Sequence, residues 1–391
     1  MFYKTYYIEE HLNNNNLENI REQAIENIFN NNIDDDNLEL IQLNYRPKLT
    51  RAFQDEETLK ENISQNYLNK SMNIFSFINR NINEFFDNNY NNKPIEEYYT
   101  TFRIPKSSGG TRKITAPEDG LKKLLSDIQY RIQEEIKVLE HNNAFAYIKG
   151  RDIKDALTVH QANKSNWFLK IDFKDFFPSF NKQTIIKTLN KIYPFNFLYK
   201  DRVEDMVDVS LYNNGLPQGS PLSPLLSNLC LIEFDKKLTN KLWNFNDQHY
   251  VYTRYADDII ISSKYDFTYS NIIELIKELL EELDLPLEIK HSKTRYGSRH
   301  GRNWNLGLML NKDNKITIGY KKKRRMKAML FSFIKDTIEN NLWGKQEFQE
   351  FQGQLNYIST IEPEYWRKRI RILEDKLNVD FKRDILSKYK V

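Results

Sequence analysis

Two adjacent carboxylates, Asp257 and Asp258, interrupt an apolar run that extends from Tyr250 to Ser262. Residues such as Tyr, Val and Ile in short runs read as strands, so the acids mark the turn of a sheet hairpin. A carboxylate pair buried there without compensation is expensive, and a hard divalent cation with oxygen ligands removes the cost. Taken alone, an Asp-Asp pair is more often an exposed turn than a metal site. The pair needs a partner elsewhere in the chain.

That partner is present in "LKIDFKDFFPSF", where a strand from Trp167 to Phe173 delivers Asp172. Two strands that each end in a carboxylate can meet in one sheet. Two ions about 3.5–4 Å apart on such acids would activate a 3′-hydroxyl and stabilise a departing pyrophosphate. The chemistry expected of the three acids is nucleotidyl transfer.

Charge distribution points the same way, although net charge, at +4, does not. Between Lys290 and Lys327 there are thirteen Lys or Arg and a single acid, Asp313, whereas Met1 to Lys60 holds six bases and twelve acids. One region is built to meet polyanions. With 40% apolar and 13% aromatic residues the chain has material for a globular core. A single cysteine, Cys230, forms no internal disulfide, and no Cys/His cluster has zinc spacing, so a cytoplasmic protein without structural zinc is expected. The longest apolar stretch, Leu222 to Phe234, is broken by Ser223, Pro224, Ser227 and Asn228, and no membrane partner is expected.

Along the chain, helical spacing appears around Ile20, Ala24 and Ile28 in an Asn-rich, acidic first hundred residues. From Tyr98 to Pro117 two β-rich runs flank Ser107-Ser108-Gly109-Gly110, which reads as a hairpin with a flexible tip. A helix follows from Leu121 to about Leu139. After the acid pair come a helix from Ile272 to Leu283, a strand near Leu287, a hairpin from Trp304 to Ile318, and helices from Lys323 onward. Met329, Leu330 and Phe333 are expected to face the core, as are Tyr357 and Trp366.

Six segments, "RIPKSSGGTRKITAP", "LKIDFKDFFPSF", "LPQGSPLSPLLSNL", "YTRYADDIIIS", "HSKTRYGS" and "LGLMLN", resemble in order the successive blocks of bacterial reverse transcriptases, retron-like and defence-associated. The resemblance implies an α+β right-hand polymerase: a helical extension over 1–97, fingers and palm over 98–310 with an antiparallel sheet, and a helical thumb over 311–391. It implies catalytic roles for Asp172, Asp257 and Asp258, which with the Phe173 carbonyl would hold two Mg²⁺ ions, Mn²⁺ being the substitute. Lys106 and Arg112 match finger residues that grip a triphosphate, and Gln218 matches a glutamine that contacts the nucleotide. Phe177 matches the aromatic that closes the sugar's 2′ side and selects deoxynucleotides. Lys293 matches a lysine assigned to protonating pyrophosphate, with a solvated or template-contacting lysine as the alternative. Tyr255 either contacts primer and template or supports the hairpin, and Lys321, Lys322, Lys323, Arg324 and Arg325 would meet the duplex backbone.

The partners implied are an RNA template, in particular a dedicated noncoding RNA, its DNA product, deoxynucleotides, and an effector protein or a second copy. Two elements depart from the retron pattern: Asp155-Ala156 with His160 one position too far for Asn-Ala-x-x-His, and Leu306-Gly307-Leu308 in place of Val-Thr-Gly. These lead to an expectation of a defence-associated enzyme outside the retrons, a divergent retron being the alternative. Template-independent or protein-primed synthesis, and an idle RNA-binding scaffold, are the rival functions; the scaffold would have lost an acid, and none is lost.

Overall fold

The structure is a computed structural model describing residues 73–389, apart from 75, 88–92, 107–108, 136–140, 193–194, 196–199, 244, 246–248, 301–303 and 305. The helix expected around Ile20, Ala24 and Ile28 lies outside the described residues, as does most of the expected extension. Within its remainder, 73–74 and 76–87 are helical and a 3-10 turn spans Ile95–Tyr98.

In chain order the elements are β1 (Tyr99–Pro105), β2 (Thr111–Pro117), α1 (Asp119–Glu135), α2 (Ile153–Ala162), β3 (Trp167–Asp172), α3 (Phe176–Ser179), α4 (Lys182–Leu189) and α5 (Lys200–Asp208). Next come α6 (Ser223–Cys230), α7 (Ile232–Trp243), β4 (Val251–Tyr255), β5 (Asp258–Ser263), α8 (Tyr269–Glu282) and β6 (Arg295–Ser298). The chain continues through β7 (Met309–Leu310), β8 (Ile316–Thr317), α9 (Tyr320–Ile338), α10 (Lys345–Ile361) and α11 (Pro363–Leu377). Mixed elements precede a helical end, an α+β order. No helix among the described residues is long and apolar enough to cross a membrane.

The chain divides into two compact units, each made of separated stretches. One takes the described residues up to Asn142 with Lys174–Lys237 and Ile276–Glu288; the other takes Asn143–Phe173, Leu238–Leu275 and Ile289–Val391. The expected 98–310 block therefore contributes to both.

The second unit is built on a four-stranded sheet in the order β4-β5-β3-β6, antiparallel throughout. Every residue of β5 is buried, and in β3 Phe168, Leu169 and Ile171 are almost fully so. The outer side of β4 is occupied: Arg254 N–H donates to Asn143 O at 2.7 Å and Phe145 N–H to Arg254 O at 2.9 Å. Asp152 starts α2 through a capping box, accepting from the N–H groups of Lys154 and Asp155 while Asp155 accepts from its own N–H. Leu157 of α2, Phe168 and Ile260 of the sheet, and Leu330, Phe333 and Trp366 of the C-terminal helices share one core.

On α9 the buried residues are Met326, Leu330, Phe333, Ile334 and Thr337, a stripe of helical period. Met326 takes the core position expected of Met329, which is half-buried. Phe333 packs between Trp343, Phe348, Phe351 and Tyr389, so Phe333→Ala would cost about 3–5 kcal/mol. Trp366 is buried as expected, but Tyr357 is 41% exposed, since its position on α10 falls beside the buried stripe of Phe351, Leu355 and Ile358. The strand expected near Leu287 reduces to one bridge between Ile289 and Phe173. The hairpin expected from Trp304 to Ile318 contracts to β7 and β8.

In the first unit β1 and β2 form a seven-pair ladder from Tyr99↔Pro117 to Pro105↔Thr111. Only Tyr99 of β1 is buried. Helix α1 buries Leu121, Leu124, Leu125, Ile128 and Ile132, again at helical spacing. Pro224 opens α6, whose Ser223 hydroxyl donates to Pro217 O at 2.9 Å, a structural use of the Ser/Pro loop. Cys230 ends that helix in the core, where burial pushes its thiol up to about 12.

Candidate active site

The sheet of the second unit brings the three acids together. Tyr255 and Asp258 are paired across the end of β4 and β5, leaving Ala256 and Asp257 as a two-residue turn. Ala256 has φ +57°, a conformation that an L residue adopts at a cost and that the flanking ladder enforces. Asp258 is in turn paired with Asp172 across β5 and β3. Phe173 N–H donates to Asp257 O at 3.4 Å and Lys290 N–H to Asp172 O at 2.7 Å, tying the end of β3 to the turn and to the chain before β6. Asp172 and Asp258 are only 5% and 7% exposed.

Three carboxylates this close repel one another. Burial, then the charges of Asp258 and Asp172, raises the pKa of Asp257 above the ordinary aspartate value. The other two acids each hold an ammonium: Lys293 Nζ lies 2.7 Å from Asp172 Oδ2 and Lys170 Nζ 2.6 Å from Asp258 Oδ2. The hydrogen bond to Asp172 raises the pKa of Lys293 and keeps its proton in place. Lys170 was not among the sequence candidates. Its signal was the period-two alternation of β3, which puts it on the same face as Asp172.

The donor set suits a hard divalent cation. Among the described residues Asp172 and Asp258 each retain one oxygen without a hydrogen bond, and Asp257 feels the charge of Lys293 without a hydrogen bond to it. As the side chains stand, no three acidic, imidazole or thiol groups among the described residues close on a single point. The two ammonium groups meet the negative charge instead. Phe173 is buried, with its backbone beside the turn. Tyr255 is half-buried, and burial raises the pKa of its hydroxyl.

The remaining nucleotide candidates belong to the first unit. Lys106 follows β1 and Arg112 lies on β2 opposite Ile104; both are exposed and neither makes an ion pair among the described residues. The loop carrying Gln218 is seated on this hairpin, its carbonyl accepting from Thr115 N–H at 3.0 Å. Gly219, at φ +139°, makes the approach feasible, since a Cβ there would sit 2.8 Å from Thr115 O. At the other end of the loop a Cβ on Gly215 would sit 2.6 Å from Pro178 O, in the short helix α3 that carries Phe177. The two glycines thus bring Gln218, the hairpin and the Phe177 turn together.

Of the basic run on α9, Lys321, Lys322, Arg324 and Arg325 are exposed. Lys323 departs from the expected set. Its Nζ is 2.5 Å from Glu362 Oε1 and 4.4 Å from the Tyr365 ring, with Glu362 also accepting from Ile318 N–H. Its ammonium already serves the core between α9 and α11.

His160, one place off the retron element, is fully buried between Ser262 Oγ at 2.6 Å and Thr253 Oγ1 at 2.8 Å. Ser262 donates onward to Ser165 at 2.7 Å, so it accepts from Nδ1–H and leaves Nε2 to accept from Thr253. The neutral ring pins α2 to the two strands of the acid hairpin, and burial pushes its pKa down to about 3.

Comparison with known proteins agrees with this geometry. Residues 104–333, which include all three acids and both lysines, match the family model described as "Reverse transcriptase (RNA-dependent DNA polymerase)". The Retron Ec73 reverse transcriptase of Escherichia coli is 30% identical over 68% of this chain and 84% of its own length. The Escherichia coli Retron Ec83 reverse transcriptase is 25% identical with the same coverage, and the Myxococcus xanthus Retron Mx65 enzyme is 27% identical over 68% of this chain and 62% of its own. These relatives fall on the retron side of the alternative left by the two divergent elements. The chain belongs to the reverse transcriptase family and is a retron-like, RNA-directed DNA polymerase.

Proposed function

We propose that this reverse transcriptase copies a dedicated noncoding RNA into cDNA by two-metal nucleotidyl transfer, in the cytoplasm and in the service of antiphage defence. The observation that carries the mechanism is the Asp172↔Asp258 pair with Asp257 in the adjoining turn, each acid keeping an oxygen free of lysine. Asp172, Asp257, Asp258 and the Phe173 carbonyl would hold two Mg²⁺ ions. When bound, such ions activate the 3′-hydroxyl and neutralise the pyrophosphate. Lys106 and Arg112 take the triphosphate, Gln218 orients the deoxynucleotide, and Phe177 rejects a 2′-hydroxyl. Lys293 either delivers a proton to pyrophosphate or contacts the template. Tyr255 and the exposed bases Lys321, Lys322, Arg324 and Arg325 meet the nucleic acid, a charge-based contact that weakens as salt rises. The defence role, with an effector protein or a second copy as partner, rests on the family resemblance alone.

The test is sequencing of DNA and RNA that copurify with the wild type and with an Asp257→Ala, Asp258→Ala variant expressed beside its genomic neighbourhood. A cDNA found only with the wild type and mapping to one bound RNA supports the reading. DNA without correspondence to any bound RNA would replace it with template-independent or protein-primed synthesis. Bound RNA with no difference in DNA would leave a scaffold.

A further inference from the structure

Lys170 has no part in the proposed mechanism, yet it makes the less exposed of the two ion pairs at the acids. Alternation along β3 puts Lys170 and Asp172 on one face, and the register sets Lys170 opposite Ile260 and Asp172 opposite Asp258. Asp258 is therefore the diagonal neighbour of Lys170, within reach of a long side chain. The two side chains are 20% and 9% exposed, whereas Lys293 is 53% exposed. Water has more access to the Lys293 pair and screens it; the Lys170 pair is shielded. On the other side of β3, Lys170 is paired with Arg295 of β6, so a second cation lies across from it and the carboxylate is its stabilising contact.

We propose that Lys170 is a positioning residue of the polymerase site, holding Oδ2 of Asp258 so that Oδ1 alone is offered to a divalent cation, and offsetting one of the three negative charges. The assignment rests on the two-metal reading of the acids. The two lysines then have different roles, since Lys293, half-exposed, is accessible to substrate, while Lys170 stays with the protein. A site without Lys170 should attract divalent ions more strongly and use them less well. The added attraction is Coulombic, and the lost rate follows from an Asp258 carboxylate free to rotate.

The experiment titrates Mn²⁺ against the full chain, read by loss of the free-ion EPR signal, for wild type, Lys170→Gln and Lys170→Arg. Alongside it, kcat and KM for a deoxynucleotide are measured on a primed RNA template. Lys170→Gln should bind Mn²⁺ about three- to tenfold more tightly, lose about 30-fold in kcat, and change KM by less than about threefold. Lys170→Arg, which keeps a cation in reach, should return both quantities most of the way to wild type.

A folded Lys170→Gln with wild-type Mn²⁺ affinity and kcat overturns the assignment. If that variant does not fold, Lys170→Gln combined with Asp258→Asn decides: removing the carboxylate that Lys170 neutralises should restore folding, and a double variant no more stable than the single one overturns the pairing. Wild-type protein that takes up no Mn²⁺ overturns the metal reading and this assignment together. Normal uptake, indifferent to Lys170, overturns the assignment alone.

Discussion

The β4–β5 hairpin and the β1–β2 hairpin are both antiparallel ladders, of five and seven residue pairs, and both carry charged groups at or near one end. Their surroundings are opposite. The first is held on each side, by β3 and by the 143–145 segment, and its strand β5 is wholly buried. The second is a two-stranded sheet on which the Gln218 loop is seated, buried toward its base, with Lys106 and Arg112 exposed. On the proposed reading the carboxylates share ions and need fixed places, and the sheet supplies them against their mutual repulsion. On the same reading Lys106 and Arg112 meet a polyanion and need only reach, and an exposed ladder gives them that at little cost in desolvation.

The largest effect that would break this comparison is at the acids. Asp257→Asn should lower DNA synthesis by at least about 10³-fold, roughly 4 kcal/mol, without lowering thermal stability, because the repelled charge is removed while the turn stays. A primer-extension assay with a parallel melting curve checks both halves; loss of stability would mean that the acid holds the turn.

Gly219→Ala comes next. With a Cβ 2.8 Å from Thr115 O at φ +139°, it should destabilise the first unit by up to about 3 kcal/mol and raise KM for the deoxynucleotide. Unchanged melting and KM would show that the Gln218 loop is not seated on the hairpin.

A third test concerns the clamp beneath the acid hairpin. His160 titrates at about 3 when folded and near 6.5 when unfolded, so above pH 6.5 it is neutral in both states and contributes no slope. Below that, the unfolded chain binds a proton the native ring refuses, and stability falls by about 1.4 kcal/mol per pH unit toward pH 3. Between pH 7 and 5 the loss from this residue is roughly 2 kcal/mol. Urea unfolding at the two pH values should show it, and a His160→Gln protein should lack that part of the slope.

The smallest effect is expected at the open hairpin. Lys106→Ala or Arg112→Ala should raise KM about tenfold, about 1.4 kcal/mol, and leave the melting temperature alone. A stability loss comparable to that of Gly219→Ala would erase the distinction between the two hairpins.

Much of this was legible in local patterns. Strand alternation broken by Asp257-Asp258 announced the turn, Leu330 and Phe333 were expected in the core and are buried there, whereas Met326 takes the place expected of Met329, and Ser107 to Gly110 stood between two strand-like runs. What escaped was set by residues far apart in the chain. Lys170 reads as one more surface lysine until β3 is laid beside β5. Lys323 stands in a run of identical charges, and only Glu362, brought up by α11, separates it from its neighbours. Tyr357 carries an aromatic ring suited to a core, and the rotation of α10 leaves it 41% exposed. The helix expected near Ala24 falls outside the described residues.

The amino-acid sequence by itself determined which groups are candidates for the chemistry and in what order they come, because carboxylates breaking apolar runs and glycines between strands are local signals with few structural solutions. Tertiary structure alone decided who neutralises whom: Lys170 with Asp258, Lys293 with Asp172, His160 between Thr253 and Ser262. Those pairings depend on strand register and helix rotation, and these are chosen by the burial of the whole core rather than by any short stretch of chain.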